Sequence, residues 1–168
     1  IIEAATGKLL AANDHVSHIW RCEVPIGTDT RVFSTLMGFH PDGRPYAPEE
    51  WPLMRALRSG ESVIGEEIEI ERGDGTRGFT RSSAAPVRDA EGRVVAGVVV
   101  FADITQSKRM DASLRESEER LRLALDAANM ASWHWDFRSG EVTCSERGPQ
   151  LLGLDAGQIG TIVTLGAV

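Results

Sequence analysis

The sequence predicts an α+β fold, and three observations carry that prediction. Strand-like runs and short amphipathic helices alternate as far as Asp103. The last three of these runs are strands joined by tight turns, Gly73-Asp74-Gly75 and Asp89–Gly92. A charged stretch without Gly or Pro follows, Asp103–Met130, dense in the helix formers Leu, Arg, Glu and Ala.

Taken in order, Ile1–Ala4 and Lys8–Ala12 flank Thr6-Gly7 as a hairpin. Asn13 suits a helix N-cap, and Asp14 in the first turn complements the helix dipole. Val16, Ile19 and Trp20 give that helix one apolar face, and Pro25 and Gly27 end it. Between Ile26 and Tyr46 only turns and one short strand, Arg31–Leu36, are predicted. Glu49–Ser59 is a second helix, with Pro52 in its first turn, Leu53, Met54 and Leu57 on its apolar face, and Gly60 at C′.

Val63–Arg72 alternates, which sets Ile64, Ile68 and Ile70 on one side and Glu67, Glu69 and Glu71 on the other. Arg77–Arg88 runs back. Val94–Asp103 is nearly continuous in β-branched residues and is expected to be the central, most buried strand. Thr105 is the expected N-cap of the long helix, roughly 35 Å long over residues 106–128. Pairs such as Glu116–Arg120 and Glu118–Arg122 support it at i,i+4 spacing.

After Met130 the opening pattern returns. Ala131–Phe137 and Val142–Ser145 read as strands around the turn Arg138–Glu141, leading into Glu146–Leu152. Ser145 lies 132 residues after Asn13, so two strands, a turn and a cap recur in the same order. The Gly/Ala/Thr/aliphatic tail 156–168 does not complete a second domain.

Composition narrows the function classes. A formal net charge of −7 argues against nucleic acid, which needs a basic face. No apolar run is long enough to span a bilayer, so no membrane contact is expected within the segment. The chain starts at Ile1, and a parent protein with spans elsewhere is compatible with this. Cys22 and Cys144 form no CxxC pattern and read as free thiols of a reducing cytoplasm. His15, His18 and Cys22 stand at i, i+3, i+7, but the helix is expected to fray before Cys22, so a solvated polar edge is preferred over a metal site. GxSxG, HExxH and phosphate-loop motifs are all missing, so no enzyme activity is expected.

The strand order ending in Asp103-Ile104-Thr105, followed by Gln106-Ser107-Lys108-Arg109, resembles the end of a PAS domain of bacterial sensor proteins. The turns Gly73-Asp74-Gly75 and Ala85–Gly92 resemble it too. The segment Pro48–Leu57 with Gly60-Glu61 is similar to a subgroup common in sensor histidine kinases. Leu114–Leu121 resembles the linker into a further PAS repeat, and Ala131–Asp155 its first third.

The resemblance implies a five-stranded antiparallel sheet with short helices on one face, followed by a long C-terminal connector helix. Its domains would be 1–104 (sensory), 105–130 (helical linker) and 131–168 (the start of a second unit). It places a pocket between the sheet and the helices, for which Trp20, Trp51, Met54, Leu57, Phe79 and Phe101 are the large candidates. An apolar cluster of this kind is more often plain core. The Asn-Cys-Arg-Phe motif of flavin-binding relatives is missing, and Glu49–Ser59 holds no axial His for haem. No cofactor is therefore expected; an unidentified small ligand, or none, is.

Asp103 and Thr105 are the expected signal-relay junction. Met110, Leu114 and Leu121 are the strongest residues of a short, weak dimer seam. The function implied is a cytoplasmic sensor and relay module of a two-component histidine kinase, self-associating and acting on a downstream kinase or cyclase domain. The alternative is a ligand-free dimerisation spacer. Trp133, Trp135 and Phe137 are expected to need a covering contact.

Overall fold

The computed structural model describes residues 1–27, 36–145 and 148–153. The sheet elements in chain order are β1 (Ile2–Glu3), β2 (Met37–Phe39), β3 (Val63–Glu71), β4 (Arg77–Arg88) and β5 (Val94–Asp103). Helices α1 (Asp14–Trp20) and α2 (Pro52–Ser59) lie between them, and α3 (Thr105–Ala127) follows. The five strands form one antiparallel sheet in the order β1-β5-β4-β3-β2. Two compact units are distinguished, Ile1–Arg109 and Met110–Val168, and the division falls one turn into α3.

The opening hairpin forms as a minimal bridge. The Glu3 N–H donates to the Lys8 carbonyl and the Gly7 N–H to the Glu3 carbonyl, while Ile2 bridges Leu9. Gly7 sits at φ +68°, a conformation that favours glycine. At α1, Asn13 occupies the N-cap position without capping through its side chain; its carbonyl accepts from the Val16 N–H. Ile19 and Trp20 are buried as the spacing predicts, and Arg21 in the left-handed region ends the helix. The strand expected over Arg31–Leu36 falls, at 31–35, outside the described residues.

Three expectations are corrected. The helix expected from Glu49 begins only at Pro52, after a separate 3₁₀ turn at Pro48–Glu50. Proline disfavours helical geometry in the residue before it, and Trp51 is accordingly at ψ 137°. Gly60 closes α2 in the left-handed region, its N–H donating to the Ala56 carbonyl. Secondly, Ile64 does not share a face with Ile68 and Ile70. The register slips between Val63 and Glu66, with Gly65 at φ +66°, so Val63 turns inward and Ile64 is 89% exposed.

Thirdly, β5 is not the central strand. β4 holds the middle and buries Gly78, Thr80, Ser82 and Ala84 in alternation. β5 lies beside it, with Ala96 and Gly97 buried and Val95 and Val100 exposed. A run of valines reads the same in a middle strand and in the strand beside it, so the pattern could not distinguish them.

The core centres on Ile19, Trp20, Ile68 and Ile70. Trp20 meets Phe101 edge-on at 5.7 Å and Trp51 at 5.9 Å between ring centroids. Such aromatic pairs add stability beyond their buried area. α2 lies close over β5 at Gly97, where a Cβ would come within 2.7 Å of Leu53 and 2.9 Å of Leu57.

In the second unit, β6 (Trp133–Trp135) and β7 (Val142–Cys144) pair antiparallel, and α4 spans Gly148–Leu152. The turn repeats the opening hairpin bond for bond: the Asp136 N–H donates to the Glu141 carbonyl and the Gly140 N–H to the Asp136 carbonyl. Gly140 sits at φ +73°. Trp133, Trp135 and Phe137 are exposed, with the last two rings 4.7 Å apart. Along α3, Glu116 pairs with Arg120 as expected, and Arg122 pairs with Glu119 and Asp126.

Candidate functional site

Between the sheet and the helices lies a cavity of about 770 Å³. α1 contributes Val16, Ile19 and Trp20 to its wall, and the sheet contributes Ser82, Val99 and Phe101. Trp51, Leu53 and Met54 close another side. Of the six large residues the sequence singled out, Trp20, Trp51, Met54 and Phe101 meet on this cavity. Leu57 and Phe79 do not. Leu57 is taken up in packing over Gly97. Phe79 neighbours the buried Thr80 on β4 and pairs with Glu69, so strand alternation turns it to the opposite face.

A polar cluster borders the cavity at Tyr46 and Trp51. His40 stacks on Tyr46, rings 3.9 Å apart and 5° from parallel. The Tyr46 hydroxyl donates to Glu66 at 2.9 Å; burial and this hydrogen bond push the phenol up to about 12. Arg44 grips Glu50 with two N–H donors, at 3.0 and 2.9 Å. With the Ala47 N–H and His40, these donors pull the Glu50 carboxyl down to about 2. Arg55 joins Glu61 and Glu66.

The junction with α3 is built on Arg72, which the sequence reading passed over. Its side chain is 3% exposed and salt-bridges Asp103 at 2.8 Å. Arg72 Nε donates to the Ile19 carbonyl at the end of α1 (2.9 Å), and Nη2 donates to the Thr105 hydroxyl (3.0 Å). The next residue, Gly73, donates its N–H to the Trp20 carbonyl. The β3–β4 turn thus satisfies two carbonyls that the end of α1 leaves open.

Asp103 and Thr105 meet here, and Thr105 is not the N-cap that the sequence suggests. Thr105 is the first helical residue, and Asp103 caps it by accepting its N–H at 2.9 Å. The Thr105 hydroxyl accepts instead from the Phe79 N–H across the sheet. Burial raises the Asp103 carboxyl, but the hydrogen bonds from Thr105 and the charge of Arg72 outweigh it and hold the group below the ordinary value. Lys108, one turn on, reaches Glu67 on β3 at 2.5 Å.

Gly78 is the mark that Arg72 leaves on the sequence of β4, legible only once the fold brings the two together. A Cβ there would collide with the Arg72 guanidinium, so β4 carries a glycine where the arginine passes.

The sequence profile described as the PAS fold matches residues 7–109. The chain belongs to the PAS fold family. The match runs from Gly7 in the opening hairpin to the first turn of α3, and it includes Arg72 and all the described cavity-lining residues except Ile1 and Ile2. Among solved structures, the chain is similar to a sensory box histidine kinase/response regulator from Burkholderia thailandensis E264. The two are 23% identical, with 72% of this chain and 86% of that one covered and a TM-score of 0.48. A light-oxygen-voltage domain studied with a flavin analogue is 19% identical over 66% of this chain and 77% of its own, with a TM-score of 0.43. No curated protein matches.

Met110, Leu114 and Leu121 are exposed along α3. Among the described residues, no helix is long and apolar enough to cross a membrane, and no group of three His, Cys, Asp or Glu is arranged for a metal. His18 bonds the Asp14 carbonyl, and Cys22 lies beyond the helix end, so the histidines and Cys22 share no helical face.

Proposed function

We propose that this PAS-fold chain is a non-catalytic sensor and relay module of a two-component sensor histidine kinase, working in the cytoplasm. A change at the cavity is passed to α3 and alters how two copies of α3 pair. One observation carries this reading: Arg72 bonds the end of α1, which bears the cavity residues Ile19 and Trp20, and also bonds Asp103 and Thr105 at the start of α3. A shift of α1 that broke the Ile19 bond would therefore change the same guanidinium that anchors α3. Relay of this kind needs two arrangements with different affinity for the signal. The kinase assignment rests on the likeness of the DIT ending and of Pro48–Leu57 to such sensors.

The test is a cross-link in the parent protein. Leu121→Cys, in a background with Cys22 and Cys144 changed to Ser, locks a pair of α3 helices on oxidation. Kinase output is expected to freeze at one level and to recover on reduction. Output that ignores the lock sinks the relay.

The exposure of Met110, Leu114 and Leu121 favours a second reading, a dimerisation spacer without a ligand. Native mass spectrometry beside extraction of bound small molecules separates the two. A co-purified ligand supports sensing, and an empty dimer supports the spacer.

A further inference from the structure

The cavity between the sheet and the helices meets solvent at Arg58 and His15, which line it and are themselves exposed. Arg58 stands in the last turn of α2, four residues after Met54, so the two share one side of the helix. Met54 belongs to the apolar wall, together with Trp20, Trp51 and Phe101. That side of α2 therefore leads from the apolar wall to a positive charge at the mouth.

The Arg58 guanidinium is loosely held. Its Nη1 lies 3.5 Å from Glu49, beyond ordinary hydrogen-bond length, and the two side chains are 59% and 57% exposed. Arg55 on the same helix shows the contrast, engaged by Glu61 at 3.1 Å and Glu66 at 2.9 Å. Two polar groups of other lining residues are also engaged. The Tyr46 hydroxyl donates to Glu66, and the Ile1 amino group donates to the Ala11 carbonyl.

An amphipathic molecule answers both features. A hydrocarbon body gains by leaving water for the apolar wall, and about 770 Å³ lies within the size range of small-molecule sites. A charged head carried deep inside would lose its hydration, whereas one held at the mouth keeps part of it. A guanidinium selects a planar anion, because its parallel donors match the two oxygens of a carboxylate.

We propose that the cavity takes a hydrocarbon monocarboxylate, its body against the apolar wall and its carboxylate paired with Arg58 at the mouth. This rests on reading the cavity as the sensing site, and it adds the ligand class and the residue that selects it.

The experiment uses the purified chain, with the neutral fluorophore N-phenyl-1-naphthylamine reporting occupancy. Two matched pairs compete against it, 2-naphthoate with 2-naphthamide and decanoate with decanamide. In at least one pair the acid is expected to bind about three- to fivefold more tightly than its amide, the upper range for an exposed ion pair. Which pair shows the preference separates aromatic from aliphatic bodies. Arg58→Gln is expected to abolish the preference while leaving amide binding unchanged, and Arg58→Lys to keep part of it. Glu49→Gln releases the guanidinium, so its preference is expected to be no lower than that of wild type.

Equal affinities within both pairs in wild type, or a preference that survives in Arg58→Gln, overturn the proposal. So does a fluorophore that never binds, or a preference that falls in Glu49→Gln. If Arg58→Gln weakens acid and amide alike, Arg58 only shapes the wall, and the proposal fails. The relay reading fails separately, through the α3 cross-link. A working lock beside a cavity without acid preference would leave relay standing and this inference refuted.

Discussion

Arg72 and Arg44 are two arginines of the same unit, each gripping an acidic side chain, and they differ mainly in burial. Arg44 has the better fork geometry, with two donors on Glu50, yet its side chain is 52% exposed. Arg72 reaches Asp103 with one nitrogen but is 3% exposed and also holds Ile19 and Thr105. An exposed pair gains little over its hydrated partners, whereas a buried donor removed leaves acceptors that water cannot readily reach. Fork geometry alone therefore misleads, and position decides which arginine holds the fold.

The sharpest way to break this comparison is Arg72→Met, which keeps the length and removes the charge. We expect a loss of about 3 kcal/mol in urea denaturation. That is the low end for a buried pair, because Asp103 is 39% exposed and can rehydrate. A loss below about 1 kcal/mol would mean that Arg72 is held no more firmly than a surface arginine.

Thr105→Val isolates one arm of the same centre. It keeps the shape but leaves the Phe79 N–H and an Arg72 donor without their acceptor. A cost of about 1–2 kcal/mol is expected in the same assay. A neutral result would show that the backbone alone fixes the start of α3.

Acid unfolding tests the carboxylates on the two sides. The folded Asp103 carboxyl lies below its ordinary value of 3.8, so its contribution is present above that pH and is lost as pH falls through the folded value. Stability should therefore decline more gently below about pH 4 in Arg72→Met than in wild type, because the charge that depresses Asp103 has gone. Parallel acid limbs for the two proteins would remove Arg72 from the account of Asp103.

Much of this architecture was legible in the sequence. Alternation marks β3, β4 and β5, and the Thr6-Gly7 and Arg138–Glu141 turns mark two copies of one opening. The copies do share their backbone bonds, because glycine placement and a two-strand turn are local matters. Their burial is not local: Ile2 pairs with Gly97 of β5 and is 2% exposed, while its counterpart Trp135 is 48% exposed. Ile64 was misassigned because one glycine bulge reverses every later residue of an alternating strand.

The site was only partly legible. Large apolar residues marked the helix side of the cavity, but Phe79 looked equally suitable until the register of β4 fixed its face. Arg72 was missed because an arginine ending an acidic, alternating strand resembles an ordinary solvated end. Only its pairing with Gly78, a contact made by folding, sets it apart.

The smallest effect expected is at Arg44, and it tests the other half of the comparison. Arg44→Met removes both donors from Glu50, but the Ala47 N–H and His40 remain to hold that carboxylate. The carboxylate is also partly open to water, so no buried charge is stranded. Stability near neutral pH should hardly change, as expected of an exposed pair. The Glu50 pKa, followed by NMR of its side-chain carboxyl, should rise from about 2 toward the ordinary 4.5, because Arg44 is its strongest depressing partner. A large loss of stability here would mean that the Tyr46–His40 stack depends on Arg44, and burial would no longer explain the contrast with Arg72.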